Sequence, residues 1–189
     1  MAFDEAFIKM RIANAARTIA DLAPLSRDIA RAGAAIAGCL RRGGRVLTCG
    51  NGGSAAEALH LAEELIGKYR DPRRAYAGIC LNADPTALTC IANDFGFEAV
   101  FSRQVEGLAQ PGDALVAFST SGASPNVLKA LHTARRLGVT SVGMLGRDGG
   151  AARAHCDIPL IVPGDDTGHI QEAHQVIVHL LLEAVEATA

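Results

Sequence analysis

Apolar residues recur at helical spacing through the N-terminal part of the chain, then give way to short, dense apolar runs. Residues 4 to about 22 predict an amphipathic helix, because Phe7, Ile8, Met10, Ile12, Ala15, Ile19 and Leu22 fall near one stripe. Pro24 and Ser26 interrupt it. A second helix is expected from about Arg27 to Leu40, with Ile29, Ala32, Ile36 and Leu40 recurring. Arg41 and Arg42 place cations in its last turn, and Gly43 and Gly44 end it.

From Arg45 onward, strand-like and helix-like segments alternate. Five runs read as strands: residues 45–49, 77–81, 114–118, 141–146 and 158–162. Helices are expected over 55–65, from Asp84-Pro85 to Ala92, over about 98–109, over 127–137, briefly after Asp148, and over about 167–186. Asn93 to Phe97 reads as a turn. Apolar strands separated by helices predict a five-stranded parallel sheet covered on both faces, an α/β three-layer sandwich. One domain over 1–189 is expected, a helical pair at 1–42 preceding an α/β core at 43–189. Two helices before the first strand exceed what a crossover consumes. They are expected to cover one side of the sheet or to pack against another subunit.

Charge and cysteines narrow the classes. The formal net charge is −2, with no long run of one sign, which gives no electrostatic reason to expect nucleic acid or an anionic membrane as partner. Cys39, Cys49, Cys80, Cys90 and Cys156 are scattered, odd in number and form no C-x-x-C. They read as free thiols in a reducing compartment rather than as a disulfide framework or a Cys-rich zinc site. No signal-peptide pattern and no apolar run long enough to span a bilayer is visible, so the expected location is the cytoplasm.

The chemistry gathers where strands meet helices. Gly50-Asn51-Gly52-Gly53-Ser54 lies between a strand and a helix, the arrangement of an anion cradle in which glycines let the backbone approach a ligand. Ser54 can cap that helix or donate its hydroxyl. The segment lacks the Gly-Lys-Ser/Thr ending of a Walker A loop and the spacing of a dinucleotide fingerprint. A second small-residue turn holds Ser119, Thr120, Ser121 and Ser124, whose hydroxyls and backbone N–H groups suit a phosphate without Lys or Arg. A plain Ser-rich capping turn is the other reading. Both turns fall at the carboxyl ends of strands, where such sheets bind ligands.

His60 and Glu64 share a helix face and could bind a divalent metal or share proton transfers, although most such pairs are solvated. The last helix carries Gln171, His174, Gln175 and His179. About 12 Å of helix rise separates Gln171 from His179. Joint ligation of one ion by these two residues would more naturally draw on neighbouring subunits. Lys68, Tyr69 and Arg70 read as a solvated helix end, and Asn93-Asp94 as an Asx turn or a sugar-hydroxyl contact.

Taken together, these motifs resemble the sugar isomerase (SIS) domain family, and within it the branch that isomerises a heptose phosphate. The matching stretches are C-G-N-G-G-S at 49–54, His60 to Glu64, N-D-F-G-F at 93–97, F-S-R-Q at 101–104, S-T-S-G-A-S at 119–124, G-R-D-G-G at 146–150, and I-Q-E-A-H with the later His179 at 170–179. The resemblance implies a SIS-type, flavodoxin-like fold. It also implies conversion of sedoheptulose 7-phosphate to D-glycero-D-manno-heptose 7-phosphate through an enediol, the first step of nucleotide-activated heptose biosynthesis. Asn51, Gly52, Gly53, Ser54, Glu64, Asn93, Asp94, Ser119, Thr120, Ser121, Ser124 and Gln171 would contact substrate. Glu64 and His179 would be the acid–base pair, and His60, Glu64, Gln171 and His179 would hold one zinc ion per subunit. A homotetramer with active sites between subunits is implied as well. One departure stands out: Gly168 and His169 occupy positions where many relatives carry an acidic residue and Arg. Two other readings are a non-catalytic relative that binds the replication initiator and a sugar-phosphate-sensing domain; neither has a need for the acid–base residues.

Overall fold

The computed structural model describes residues 3–188. Its centre is a five-stranded, wholly parallel sheet in the order β2-β1-β3-β4-β5. The strands are β1 (Val46–Gly50), β2 (Gly78–Cys80), β3 (Ala114–Ser119), β4 (Thr140–Gly146) and β5 (Ile158–Val162). The helices are α1 (Glu5–Ala20), α2 (Ser26–Arg41), α3 (Gly53–Ile66), α4 (Pro85–Phe95), α5 (Ser102–Leu108), α6 (Pro125–Arg136) and α7 (Thr167–Glu186).

Central strands buried on both faces explain the unbroken apolar runs. Along β3, Ala114, Val116 and Phe118 pack on one face with residues of α2, α3 and α7. Leu115 and Ala117 pack on the other with residues of α5 and α6. The period of two in a strand sends alternate side chains to opposite layers. The three-layer sandwich with a parallel sheet is therefore as expected.

The N-terminal helices behave differently from one another. α2 has a buried stripe of Ile29, Ala32, Ile36 and Leu40 that packs into the layer with α7. α1 lies against α7 and buries no residue of its own. Ile8, Met10, Ile12 and Ile19 stay substantially exposed. Arg11 of α1 donates to Asp166, the N-cap of α7, at 2.6 Å.

Three local expectations are corrected. Asn93 and Asp94 lie in the last turn of α4, which runs to Phe95 and stops at Gly96, where φ is 85°. The helix expected over 98–109 divides into a 3₁₀ turn at Phe97–Ala99 and α5. After Asp148 the helical piece is 3₁₀, Ala151–His155.

Candidate functional site

Strand order places the site. The chain steps from β1 outward to β2, then crosses back so that β3, β4 and β5 build the other half. The turns after β1 and β3 therefore diverge and leave a crevice between them. β1 and β3 run in register to Gly50 opposite Phe118, so both turns start at the same level.

The first turn is shaped by Gly52, with φ 58° and ψ −123°, a conformation outside the usual range of residues bearing a Cβ. Gly52, not Ser54, is the N-cap of α3. Ser54 sits inside the first helical turn, nearly buried, and lines the crevice. Asn51 exchanges two side-chain hydrogen bonds with Asn126 at the start of α6, at 2.9 and 2.8 Å, tying the two turns together.

In the second turn, the Gly122 N–H donates to Ser119 Oγ at 3.0 Å, and Ala123 N–H donates to Ser121 Oγ at 3.2 Å. Ser119 Oγ and Ser124 Oγ lie 3.4 Å apart. Ser124 is the N-cap of α6 without a side-chain cap bond, so its hydroxyl remains available. The resulting cavity of about 230 Å³ is lined by Asn51, Gly53, Ser54, Ser119, Thr120, Ser121 and Ser124, with Thr167 and Gln171 of α7 closing it. No lysine or arginine lines it. The helices α3, α6 and α7 all begin at its wall, so positive helix ends supply a field that favours an anion.

A second group of residues lies further along α3 and α7. His60 Nε2 is 3.4 Å from Glu64 Oε1 and 3.9 Å from Glu63 Oε1. Gln175 Nε2 lies 2.6 Å from His60 Nδ1 and 3.2 Å from His179 Nε2. The His60 and His179 rings meet edge to face with centroids 5.5 Å apart. Among the described residues, the ligand atoms of His60, Glu63 and Glu64 form the one cluster of three or more His, Cys, Asp or Glu groups close enough to share an ion, all within 4.8 Å of one another. Nitrogen and carboxylate donors of this kind suit zinc.

Between the pocket and this cluster lies a buried pair. Glu57 Oε2 faces His174 Nδ1 at 3.7 Å, and His174 Nε2 is 3.1 Å from the Leu145 carbonyl oxygen. Neither Glu57 oxygen nor His174 Nδ1 has a hydrogen-bond partner.

Of the expected site residues, Asn51, Gly53, Ser54, Ser119, Thr120, Ser121, Ser124 and Gln171 line one cavity, and Gly52 caps the helix beside it. His60, Glu64 and His179 form the second cluster. Gln171 is not among them. Its amide lies against Gly53, where any Cβ would strike it, and Gln175, one turn on, takes the place between the two imidazoles. The eight-residue spacing explains the separation, since it carries Gln171 about 12 Å away along α7. Asn93 and Asp94 are exposed, hydrogen-bonded to each other at 2.7 Å, and do not line the cavity. Gln175 and His174 stand out on the last helix in the sequence without an assigned role, and Thr167 and Glu57 carry no signal there. A helical i, i+4 series through Gln171, Gln175 and His179 was the available signal for the first of them.

Fold and site together define an α/β domain with a hydroxyl-lined pocket at its switch point and a cluster of imidazoles and carboxylates further along α3 and α7. A model of the SIS domain family matches residues 11–146. Phosphoheptose isomerase from Campylobacter jejuni is 50% identical over 162 residues, covering 86% of this chain and 87% of that protein. The enzyme of that name from Helicobacter hepaticus is 55% identical over 148 residues, covering 78% and 76%. The structure of phosphoheptose isomerase from Neisseria gonorrhoeae superposes with a TM-score of 0.92 at 36% identity, covering 97% of this chain and 98% of that one. The chain belongs to the SIS domain family, among its phosphoheptose isomerases.

Proposed function

We propose that this protein isomerises sedoheptulose 7-phosphate to D-glycero-D-manno-heptose 7-phosphate. The carrying observation is the pairing of a hydroxyl-lined anion pocket with a carboxylate and two imidazoles further along the same two helices. Neither a scaffold nor a sensor of sugar phosphates has a use for the second group.

The ester end of the sugar sits among Ser119, Thr120, Ser121 and Ser124, held by hydroxyls and helix N–H groups. Asn51, Gly52, Gly53, Ser54 and Gln171 complete the contacts along the chain of hydroxyls. With the ring open, C2 is a carbonyl and C1 carries two hydrogens. Glu64 takes one proton from C1, and the electron pair moves to form the C1–C2 double bond as the carbonyl oxygen gains a proton from His179. The enediol then collapses the other way: the C1 hydroxyl loses its proton, C1 becomes the aldehyde, and C2 receives a proton. Nothing is oxidised or reduced overall, and no co-reactant is consumed.

The donor set fits zinc. His60, Glu64 and His179 would hold it, with Gln175 as the fourth donor nearest to them in one chain, where the resemblance implies Gln171. When bound, zinc supplies Lewis-acid polarisation of an oxygen. A homotetramer with sites between subunits is part of the same reading. It is supported by the exposed apolar residues of α1 and by Leu59, Ile66 and Leu180, which also stay exposed. Five free cysteines suit a reducing cytoplasm, and no helix among the described residues is long and apolar enough to cross a membrane.

The test is turnover of sedoheptulose 7-phosphate by the purified protein, before and after dialysis against a chelator, followed by zinc add-back. Glu64→Gln should abolish turnover and leave substrate binding intact. No turnover by the parent in either metal state would remove the isomerase reading. Full activity in Glu64→Gln would remove Glu64 as base.

A further inference from the structure

α3 ends at Ile66, and the carbonyls of its last turn have no donor within the helix. Arg73 supplies donors to two of them: Nη2 donates to the Glu64 oxygen at 2.6 Å and Nη1 to the Leu65 oxygen at 3.0 Å. Its side chain is only 5% exposed, and its Nε lies 3.5 Å from Glu186 Oε1 on the last turn of α7. The same carboxylate accepts the backbone N–H of Tyr69 at 3.0 Å and that of Arg70 at 3.1 and 3.2 Å. One carboxylate thus fastens the segment after α3 onto the end of α7.

The consequence falls on His179. The Tyr69 ring stacks on its imidazole, with centroids 5.3 Å apart and planes inclined by 23°. The Arg70 guanidinium lies over the Tyr69 ring at 5.1 Å and pairs with Glu183 at 2.8 Å. Rotation of an imidazole about its last side-chain torsion is broad, so a contact at one ring nitrogen leaves the ring plane loosely set. A flat neighbour stacked on it fixes that plane. Arg73 acts at the other partner, through the backbone oxygen of Glu64 itself.

We infer that Tyr69 is a positioning residue for His179, and that Arg73 and Glu186 form the clamp that holds Tyr69 and the end of the Glu64 helix in register. This rests on the assignment of Glu64 and His179 as the acid–base pair. The clamp residues act through those two and carry no proton of the reaction.

The test uses the full-length, metal-loaded protein, with kcat and KM for sedoheptulose 7-phosphate, a thermal melt, and histidine-selective ¹³C spectra. Tyr69→Phe keeps the stacked face and should keep kcat and the ring-current displacement of the His179 signal. Tyr69→Leu keeps bulk without a flat ring. It should lose kcat about 10- to 100-fold with KM nearly unchanged, as expected for a displaced catalytic group, and lose the ring-current displacement. Glu186→Gln keeps an acceptor but removes the charge facing Arg73, and should give a smaller loss of the same kind. Tyr69→Leu with parent kcat and an altered His179 signal overturns the positioning role alone. Equal loss in Tyr69→Phe and Tyr69→Leu, tracking the melting temperature, overturns it in favour of plain stability. His179→Asn separates the layers: retained turnover there overturns the acid–base assignment, and the positioning role with it.

Discussion

Gly122→Ala tests whether the serine turn is held by backbone contact. Gly122 has φ +61° and sits at the apex of the turn, its N–H on Ser119 and its oxygen accepting from Ala152 N–H at 2.8 Å. A Cβ added there would collide with the Gly149 carbonyl and lie 2.9 Å from the Gly150 nitrogen. Both are backbone atoms, so no side chain can swing aside. Left-handed strain costs about 1–2 kcal/mol and forced overpacking about 1–3, so the substitution should cost roughly 2–5 kcal/mol. For a chain of this size that corresponds to a fall in Tm of roughly 4–20 °C. Gly43→Ala is the internal control. Its φ is +80°, yet nothing lies within 4 Å of the added Cβ, so only the strain should be felt, about 1–2 kcal/mol. Chemical denaturation at one fixed protein concentration, with KM measured alongside, gives the difference. The turn, if it yields instead of the fold, should show a raised KM at a nearly parental Tm. Gly122→Ala matching Gly43→Ala in stability, with an unchanged KM, would refute the argument that the backbone at Gly149 and Gly150 braces the serine turn.

Ser124→Ala should weaken competition by inorganic phosphate about tenfold or more, since hydrogen bonds to charged groups contribute about 1.5–3 kcal/mol; an unchanged inhibition constant would remove Ser124 from the phosphate site. Burial pushes the Cys49 thiol far up and the Cys156 thiol up to about 12, whereas Cys90 is exposed. A thiol-alkylating reagent at neutral pH should therefore label Cys90 first and reach Cys49 and Cys156 only on unfolding, as read by peptide mass. Burial alone would raise the Glu186 carboxyl, but the N–H groups of Arg70, Tyr69 and Asp71 and the Arg73 charge overcome it and hold its pKa below the ordinary 4.5. Its contribution to stability is thus fully present above that value and lost as pH falls through the lower, folded-state pKa. Urea midpoints measured below pH 4.5 should decline less steeply in Glu186→Gln than in the parent, and equal slopes would refute the assignment. Co-assembly of Glu64→Gln chains with Ser119→Ala/Ser124→Ala chains should restore up to about a quarter of parental sites if each site joins two subunits; no gain over the separate variants would mean that one chain supplies both halves.

The strands and their layering were legible because a parallel sheet buries both faces and leaves unbroken apolar runs. The fifth strand and the last helix appear at the expected residues, 158–162 and 167–186. The pocket itself was legible for a related reason: both turns are local, and strand order alone brings them together. What failed to show in the sequence is what depends on distant partners. Tyr69 and Arg70 read as a solvated helix end, yet their N–H groups are bound by Glu186, over a hundred residues away. Glu57 and His174 carry no sign of each other in the sequence, and only the fold sets them 3.7 Å apart. Asn93 and Asp94 carry strong turn preferences, but α4 runs through them until Gly96 stops it.

The groove between α3 and α7 sets the terms of the proposed catalysis. Both helices start at the pocket and their contacts descend in parallel steps: Gly53 against Gln171, Glu57 against His174, then His60 against Gln175 and His179. Eleven residues from Gly53 to Glu64 correspond to about 16 Å of helix, so one chain holds its phosphate end and its proposed base far apart. His60 is also 31% exposed, and acid–base chemistry on an enediol requires water to be kept out. A neighbouring subunit seated on the exposed Leu59 and Ile66 of the helix that carries His60 and Glu64 would answer both difficulties. It would cover the cluster and bring a second pocket toward it, so that each chain's base could serve a sugar held partly by another. On that arrangement Leu59 and Ile66 belong to the active site as much as the serines do, and a charge placed at Leu59 should damage assembly and turnover together.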